Sequence, residues 1–354
     1  MGERSGTNAE SGGSHSLIVE PDDGRAAVLA AIEAATQSVD LTIYEITDSE
    51  IVGALVAAQQ RKVAVRILYN WYSFSPADQH SSVLPTINDL VKGGVQCRPA
   101  PRNFEVTHEK AFVLDGTTAI IQSFNLSPDY FASTRDFGIV TSVPAEVGEV
   151  EAVFQADWQG QPISPSVDSL VWSPSNARDK LTSIISGARK TLEVYFEEVS
   201  DPGTLGALVA AARQGVEVRL ICAVLATGSS TNGNAQGITY LRGGGVNAVS
   251  KSFPVSPTAG APSMYIHAKA IVADYGLPGA AAFVGSENLS CVSLNDNREC
   301  GILIEDPAIL ARIEATFTSD WNQPSVSVPT DARALSPCPG DADGRSRSRI
   351  SARS

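Results

Sequence analysis

Apolar positions along this chain change rhythm in a regular order. LIVEP from Leu17 predicts a short strand, and GRAAVLAAIEAATQS, apolar at helical spacing, predicts a helix. VDLTIYEI follows as a strand and DSEIVGALVAAQQRK as a helix, with Asp48 or Ser49 placed to cap it; VAVRILYN is a strand again. Strands alternating with helices imply a largely parallel sheet covered on both faces. Trp71 to Thr107 reads as a long connection holding one helix, near 84–92, and a short strand at 95–98. Trp71, Tyr72, Phe74 and Phe104 are candidates to line a substrate mouth, with core packing an equal alternative.

After a Pro/Ser-rich joint near 161–166 the same order restarts. DKLTSIISGARK is helix, TLEVYFEEV strand, GTLGALVAAARQG helix and VEVRLICAV strand. The run Gly53-Ala54-Leu55-Val56-Ala57-Ala58 recurs unchanged from Gly206 to Ala211, and Phe154 and Trp158 are echoed by Phe317 and Trp321. The chain is an internal duplication. The expected organisation is a disordered leader over 1–16, one lobe over 17–162, a second over 163–323 and a disordered tail over 324–354. Each lobe is expected to be an α/β unit with a mixed, mostly parallel sheet flanked by helices, the two related by pseudo-twofold symmetry. Such a unit needs no partner to complete a site between its halves, so a monomer is expected. Gly/Ser-rich residues 227–237 and Pro-rich residues 253–263 are loops placed to border a site.

Composition narrows the class. An apolar content of 43% over 354 residues suits a globular interior. A net charge of −13 repels polyanions, so nucleic acid is not the expected partner. No apolar run approaches the roughly 18 residues of a membrane span, which predicts a soluble chain. It would be secreted if a signal peptide has been removed and cytoplasmic otherwise. The five cysteines are scattered and odd in number, which argues against a disulfide framework or a zinc knuckle; Cys222 and Cys300 read as buried thiols.

The chemistry lies in VTHEKAFVLDGTTAIIQSFN and its echo IHAKAIVADYGLPGAAAFVGSENLS. His108, Lys110 and Asp115 have the same spacing as His267, Lys269 and Asp274, and two of only four histidines fall on this pattern. On a strand, alternate side chains share a face, so each copy presents an imidazole and an ammonium together. An imidazole can attack phosphorus or donate a proton near neutral pH, and lysine holds phosphate oxygens. Ser123 and Asn125, like Ser286 and Asn288, could hydrogen-bond the same oxygens. Two such copies facing each other could cleave a phosphodiester in two steps with no metal or cofactor. Asp115 and Asp274 end strands at turns, where a structural hydrogen-bonding role is expected.

These paired motifs, with Gly285-Ser286-Glu287-Asn288 complete and Gln122 replacing the glycine in the first copy, resemble the phospholipase D superfamily over about residues 17–323. The resemblance implies that His108 attacks phosphorus to form a phosphohistidine while His267 protonates the leaving alcohol; the sequence itself is symmetric on this point. It also implies that Asp136 and Glu299, in RDFG and RECG, orient the imidazoles, with the shorter Asp136 the weaker candidate. Lys110, Lys269, Asn125 and Asn288 would neutralise the phosphoryl oxygens. The activity implied first is a phospholipase D that hydrolyses glycerophospholipids at a membrane or micelle surface to phosphatidic acid and a head-group alcohol. The alternatives are a phosphatidyltransferase like cardiolipin synthases and a metal-independent nuclease.

Overall fold

A computed structural model describes residues 12–70, 83–225 and 233–338. Trp71, Tyr72, Phe74, His80 and most of the loop expected at 227–237 lie outside them. The first lobe runs β1 (His15–Glu20), α1 (Ala26–Ala34), β2 (Ser38–Ile43), α2 (Ser49–Gln60), β3 (Ala64–Tyr69), α3 (Val83–Lys92) and β4 (Gln96–Pro99). It continues with β5 (Ala111–Leu114), β6 (Thr118–Gln122), α4 (Pro128–Ser133), β7 (Thr134–Thr141) and α5 (Pro144–Gln159). The second lobe repeats the order as β8 (Leu170–Ser173), α6 (Ala177–Gly187), β9 (Thr191–Phe196), α7 (Pro202–Arg213), β10 (Glu217–Cys222), α8 (Ala235–Gly243) and β11 (Asn247–Lys251). It closes with β12 (Tyr265–Ile266), β13 (Ala270–Ala273), β14 (Ala281–Gly285), α9 (Cys291–Asn295), β15 (Glu299–Ile304), α10 (Pro307–Trp321) and β16 (Ser325–Val326).

Asp48 caps α2 by accepting from the amides of Glu50 and Ile51, and Asp201 caps α7 at the equivalent place. The sheets are ordered β1-β7-β6-β5-β2-β3-β4 and β16-β11-β10-β9-β13-β14-β15-β8, with β12 added to β7 of the opposite lobe. Helical crossovers make β2-β3-β4 and β9-β10-β11 parallel. β12 also pairs parallel with β7, and the remaining pairings are antiparallel, a larger share than the strand–helix alternation suggests, because tight turns after Leu114 and Ala273 fold each motif strand back on itself. Asp115 and Asp274 hold those turns at φ 53° and 54°. Asp115 accepts from the amides of Thr36, Gln37 and Ser38, and Asp274 from those of Arg189, Lys190 and Thr191. Both carboxylates lock a helix-to-strand entry and lie away from the cleft.

Helices α1 to α3 bury Val28, Ile32, Leu55 and Leu90 on one sheet, and α6 to α8 bury Leu181, Leu205, Leu208 and Leu241 on the other. A third core, containing Phe137, Val150, Trp172, Val272 and Phe317, joins the inner sheet faces with α5 and α10. Burying an aromatic or aliphatic side chain there contributes about 2 kcal/mol, so the lobes form one packed body.

Two departures from the sequence reading occur near the ends. β1 begins at His15, within the stretch expected as leader, and residues 325–338 pack on the second lobe instead of forming a free tail. β16 pairs with β11, and Cys338, buried, forms a disulfide with Cys291. The scattered cysteines therefore include one bridge, because residues 47 apart in sequence meet where the C-terminal segment crosses α9. Cys222 and Cys300 are free and buried.

Candidate active site

Each motif histidine bonds through its backbone to the opposite lobe. The His108 amide donates to the Arg298 carbonyl at 2.9 Å and the His267 amide to the Arg135 carbonyl at 3.1 Å. Each of those arginines is pinned across the lobe boundary in turn: Arg135 to Asp320 of α10, Arg298 to Asp157 of α5. All four side chains are buried, so the exchange fixes the histidines to rigid elements. The rings of His108 and His267 lie 6.4 Å apart, centroid to centroid, in one cleft of about 820 Å³.

Each imidazole is oriented by a carboxylate from the other lobe. His108 Nδ1 lies 2.8 Å from Glu299 Oε2, and His267 Nδ1 lies 2.9 Å from Asp136 Oδ1. The shorter Asp136 suffices because β12 pairs with β7 and brings His267 to it. Glu299 also accepts from Ser293 and Asn297, and Asp136 from Ser123 and Thr134. Burial opposes ionisation of both acids, yet the facing histidines and lysines hold each below the ordinary carboxylate range. With Nδ1 so occupied, the Nε2 of each ring is the atom left for chemistry.

Lys110 and Lys269 are buried, each donating to the carbonyl of its own motif histidine. Burial, and then the nearby charge of Lys269, pushes the Lys110 ammonium down to about 7. Burial, with the charge of Lys110, pushes the His108 imidazole down to about 4, against the pull of Glu299. His108 is therefore a neutral base through the physiological range.

Asn125 and Asn288 line the cleft, and Asn125 Oδ1 makes no hydrogen bond. Ser123 and Ser286 do not reach it, in contrast to the phosphate-binding place expected for them. Both are fully buried: Ser123 donates to Asp136, and Ser286 Oγ accepts the Cys300 amide. A hydroxyl on Cβ is too short to clear the sheet, whereas the asparagines two residues on leave it. Gln122, in place of glycine, turns its amide onto the Phe124 carbonyl and leaves the motif strand in register. Phe104 packs on the Arg298 guanidinium at 4.2 Å, in the core reading.

Sequence reasoning missed the aromatic and acidic wall. Tyr44 and Tyr130 stand edge-on to His108 and His267 at 5.0 and 4.9 Å. Glu197 reaches into the second half, with Glu45, Glu105 and Glu198 also on the cleft wall. Aligning the repeats on their shared run would have found one of these: Tyr44 and Glu197 each precede its first glycine by nine residues.

Residues 28–158 and 181–321 match the family described as "Cardiolipin synthase, PLD-like domain", one segment for each lobe. The chain belongs to the phospholipase D superfamily. It is 23% identical over 344 residues to a cardiolipin synthase of Listeria monocytogenes, covering 86% of this chain and 68% of that protein. Among solved structures, it resembles a phosphatidylserine synthase of Haemophilus influenzae (TM-score 0.65, 14% identity, 88% of this chain and 86% of that one). It also resembles a polyphosphate kinase of Porphyromonas gingivalis (TM-score 0.66, 17% identity, 86% of this chain), of which it spans only 46%. These structural likenesses concern the fold. Among the described residues no helix is long and apolar enough to cross a membrane.

Proposed function

We propose that this superfamily member transfers a phosphatidyl group from a phospholipid to an alcohol through a phosphohistidine on His108. The observation that carries the reading is the pair of imidazoles in one cleft, each with Nδ1 on a carboxylate of the opposite lobe. In the first step the His108 Nε2 lone pair forms the P–N bond as the P–O bond to the head group breaks. His267 Nε2 passes its proton to the departing oxygen. In the second step His267 takes the proton of the incoming alcohol, whose oxygen displaces His108. Asn125 and Asn288 on the cleft wall, with the buried Lys110 and Lys269, would offset the developing charge, each such donor contributing on the order of 3 kcal/mol.

The similarity to a cardiolipin synthase favours an alcohol acceptor over the hydrolysis that the sequence reading put first. Hydrolysis is the same two steps with water in the second. The five glutamates on the cleft wall and the net charge of −13 make a DNA backbone an unfavourable ligand.

The test is a mixed micelle of phosphatidylcholine with glycerol or ethanol, in chelator, read by mass spectrometry. Phosphatidyl-alcohol exceeding phosphatidic acid is the expected result. Phosphatidic acid alone would return the assignment to hydrolysis, and inert lipid beside cleaved plasmid would overturn it.

A further inference from the structure

Two-step chemistry needs one imidazole to begin as nucleophile and the other as acid, yet the pseudo-twofold axis matches nearly every group around them. Histidine, lysine and asparagine repeat, the crossed carboxylates repeat, and Glu45 and Glu198 occupy equivalent places. Two cleft positions beside the rings differ in the repeat: Tyr130 stands opposite Ser293, and Tyr44 in the first lobe stands opposite Glu197 in the second, the pair that sets a carboxylate against a neutral ring. Tyr44 sets its ring 5.0 Å from the His108 imidazole centroid and 5.3 Å from Lys110 Nζ. Glu197 puts a carboxylate 3.5 Å from His267 Nε2, on the side of the ring opposite Asp136.

Glu197 is also held in place. Oε1 accepts from Tyr265 at 2.7 Å, and Oε2 from Lys269 at 2.9 Å and Asn288 at 3.2 Å. Burial opposes its charge, but Lys269 and His267 keep its carboxyl well below the ordinary range. His267 thus lies between two carboxylates, one at each nitrogen, whereas His108 has one at Nδ1 and an aromatic ring beside it.

We infer that Glu197 is a positioning residue that keeps the reactive proton on Nε2 of His267, making the second lobe the acid half and the first the nucleophile half. In the first step that proton moves from Nε2 to the departing oxygen while His267 retains its Nδ1 proton toward Asp136. In the second, Nε2 regains a proton from the acceptor as the P–N bond to His108 breaks. Glu197 gains and loses nothing. The inference rests on the phosphohistidine reading above and adds to it a structural cause for the division of labour.

The experiment compares phosphatidylcholine with phosphatidyl-p-nitrophenol, which differ only in the leaving group, for the wild type, Glu197→Gln and Glu197→Asp. Nitrophenolate leaves without a proton and choline does not. Glu197→Gln is expected to slow choline release about 100-fold, the lower range for a lost general acid, while the pre-steady-state nitrophenol burst changes less than about threefold. Glu197→Asp, which restores a carboxylate, should recover much of the choline rate. An alkaline quench of the wild type during turnover should place the phosphoryl label on His108. Equal losses on both substrates, an unchanged choline rate in Glu197→Gln, or label on His267 would overturn the role given to Glu197. A wild type that turns over lipid with no label on either histidine would instead overturn the phosphohistidine reading itself.

Discussion

Glu299 belongs to the second lobe and His108 to the first, and the 2.8 Å contact between Oε2 and Nδ1 crosses the boundary between them. The contact of Asp136 with His267 returns the exchange at 2.9 Å. Neither lobe on its own supplies the carboxylate that meets its imidazole at Nδ1. Glu299→Gln or Asp136→Asn preserves size but presents an amide to Nδ1 and favours the wrong tautomer. Each is expected to lower kcat on the order of 10³-fold with a much smaller change in KM, read from steady-state kinetics beside a melting curve.

The pH dependence of kcat/KM should be bell-shaped and displaced to the acid side. His108 must be neutral to attack, and burial beside Lys110 pushes it down to about 4, so activity falls only as pH approaches 4 from above. Lys110 must be charged to hold phosphate and is pushed down to about 7, so the alkaline limb begins near 7. In Lys110→Arg, which stays charged, that limb should move upward even where the maximum rate drops. An alkaline limb left in place would exclude Lys110 as its source.

Stability has its own pH signature. Glu109 is buried between the motif residues with Oε2 unbonded, and burial, then the charge of Asp157, pushes its carboxyl up from 4.5 to about 8. The folded state binds this proton more tightly than the unfolded chain. Its favourable contribution is full below about pH 4.5 and is lost as pH rises toward 8, at about 1.4 kcal/mol per pH unit. Glu109→Gln removes the titration and is expected to raise the melting temperature at pH 8 by several degrees while changing little at pH 4. A substitution that lowers the melting temperature equally at both values would contradict this.

The Cys291–Cys338 bridge ties the C-terminal segment to the cleft, since Ser336, Pro337 and Cys291 all line its wall. Cys338→Ser should free that wall and lower stability, with about 4 kcal/mol the upper range for a closed loop of this length. Denaturant unfolding with and without reductant measures the loss, and reductant should have no further effect on Cys338→Ser. KM for micellar lipid should change more than kcat, because the segment touches the mouth and not the histidines.

The repeated motifs, the duplication and the alternation of helix and strand could all be read from residue order, because each is a local pattern: period, spacing or an identical run such as GALVAA. His108, Lys110, His267 and Lys269 were legible for that reason, as was the turn role of Asp115 and Asp274. What belongs to distance in space was not. Residue order names Asp136 and Glu299 but not that each serves the imidazole of the other lobe, an outcome of β12 adding to β7. It suggests phosphate ligands in Ser123 and Ser286, while the pleat buries both against backbone and carboxylate. Glu197 carries no motif; repeat alignment places it opposite Tyr44, but its contacts with His267 and Lys269 come from packing alone. Cys291 and Cys338 pair because a segment without regular periodicity crosses α9, a contact set by tertiary packing and by no spacing along the chain.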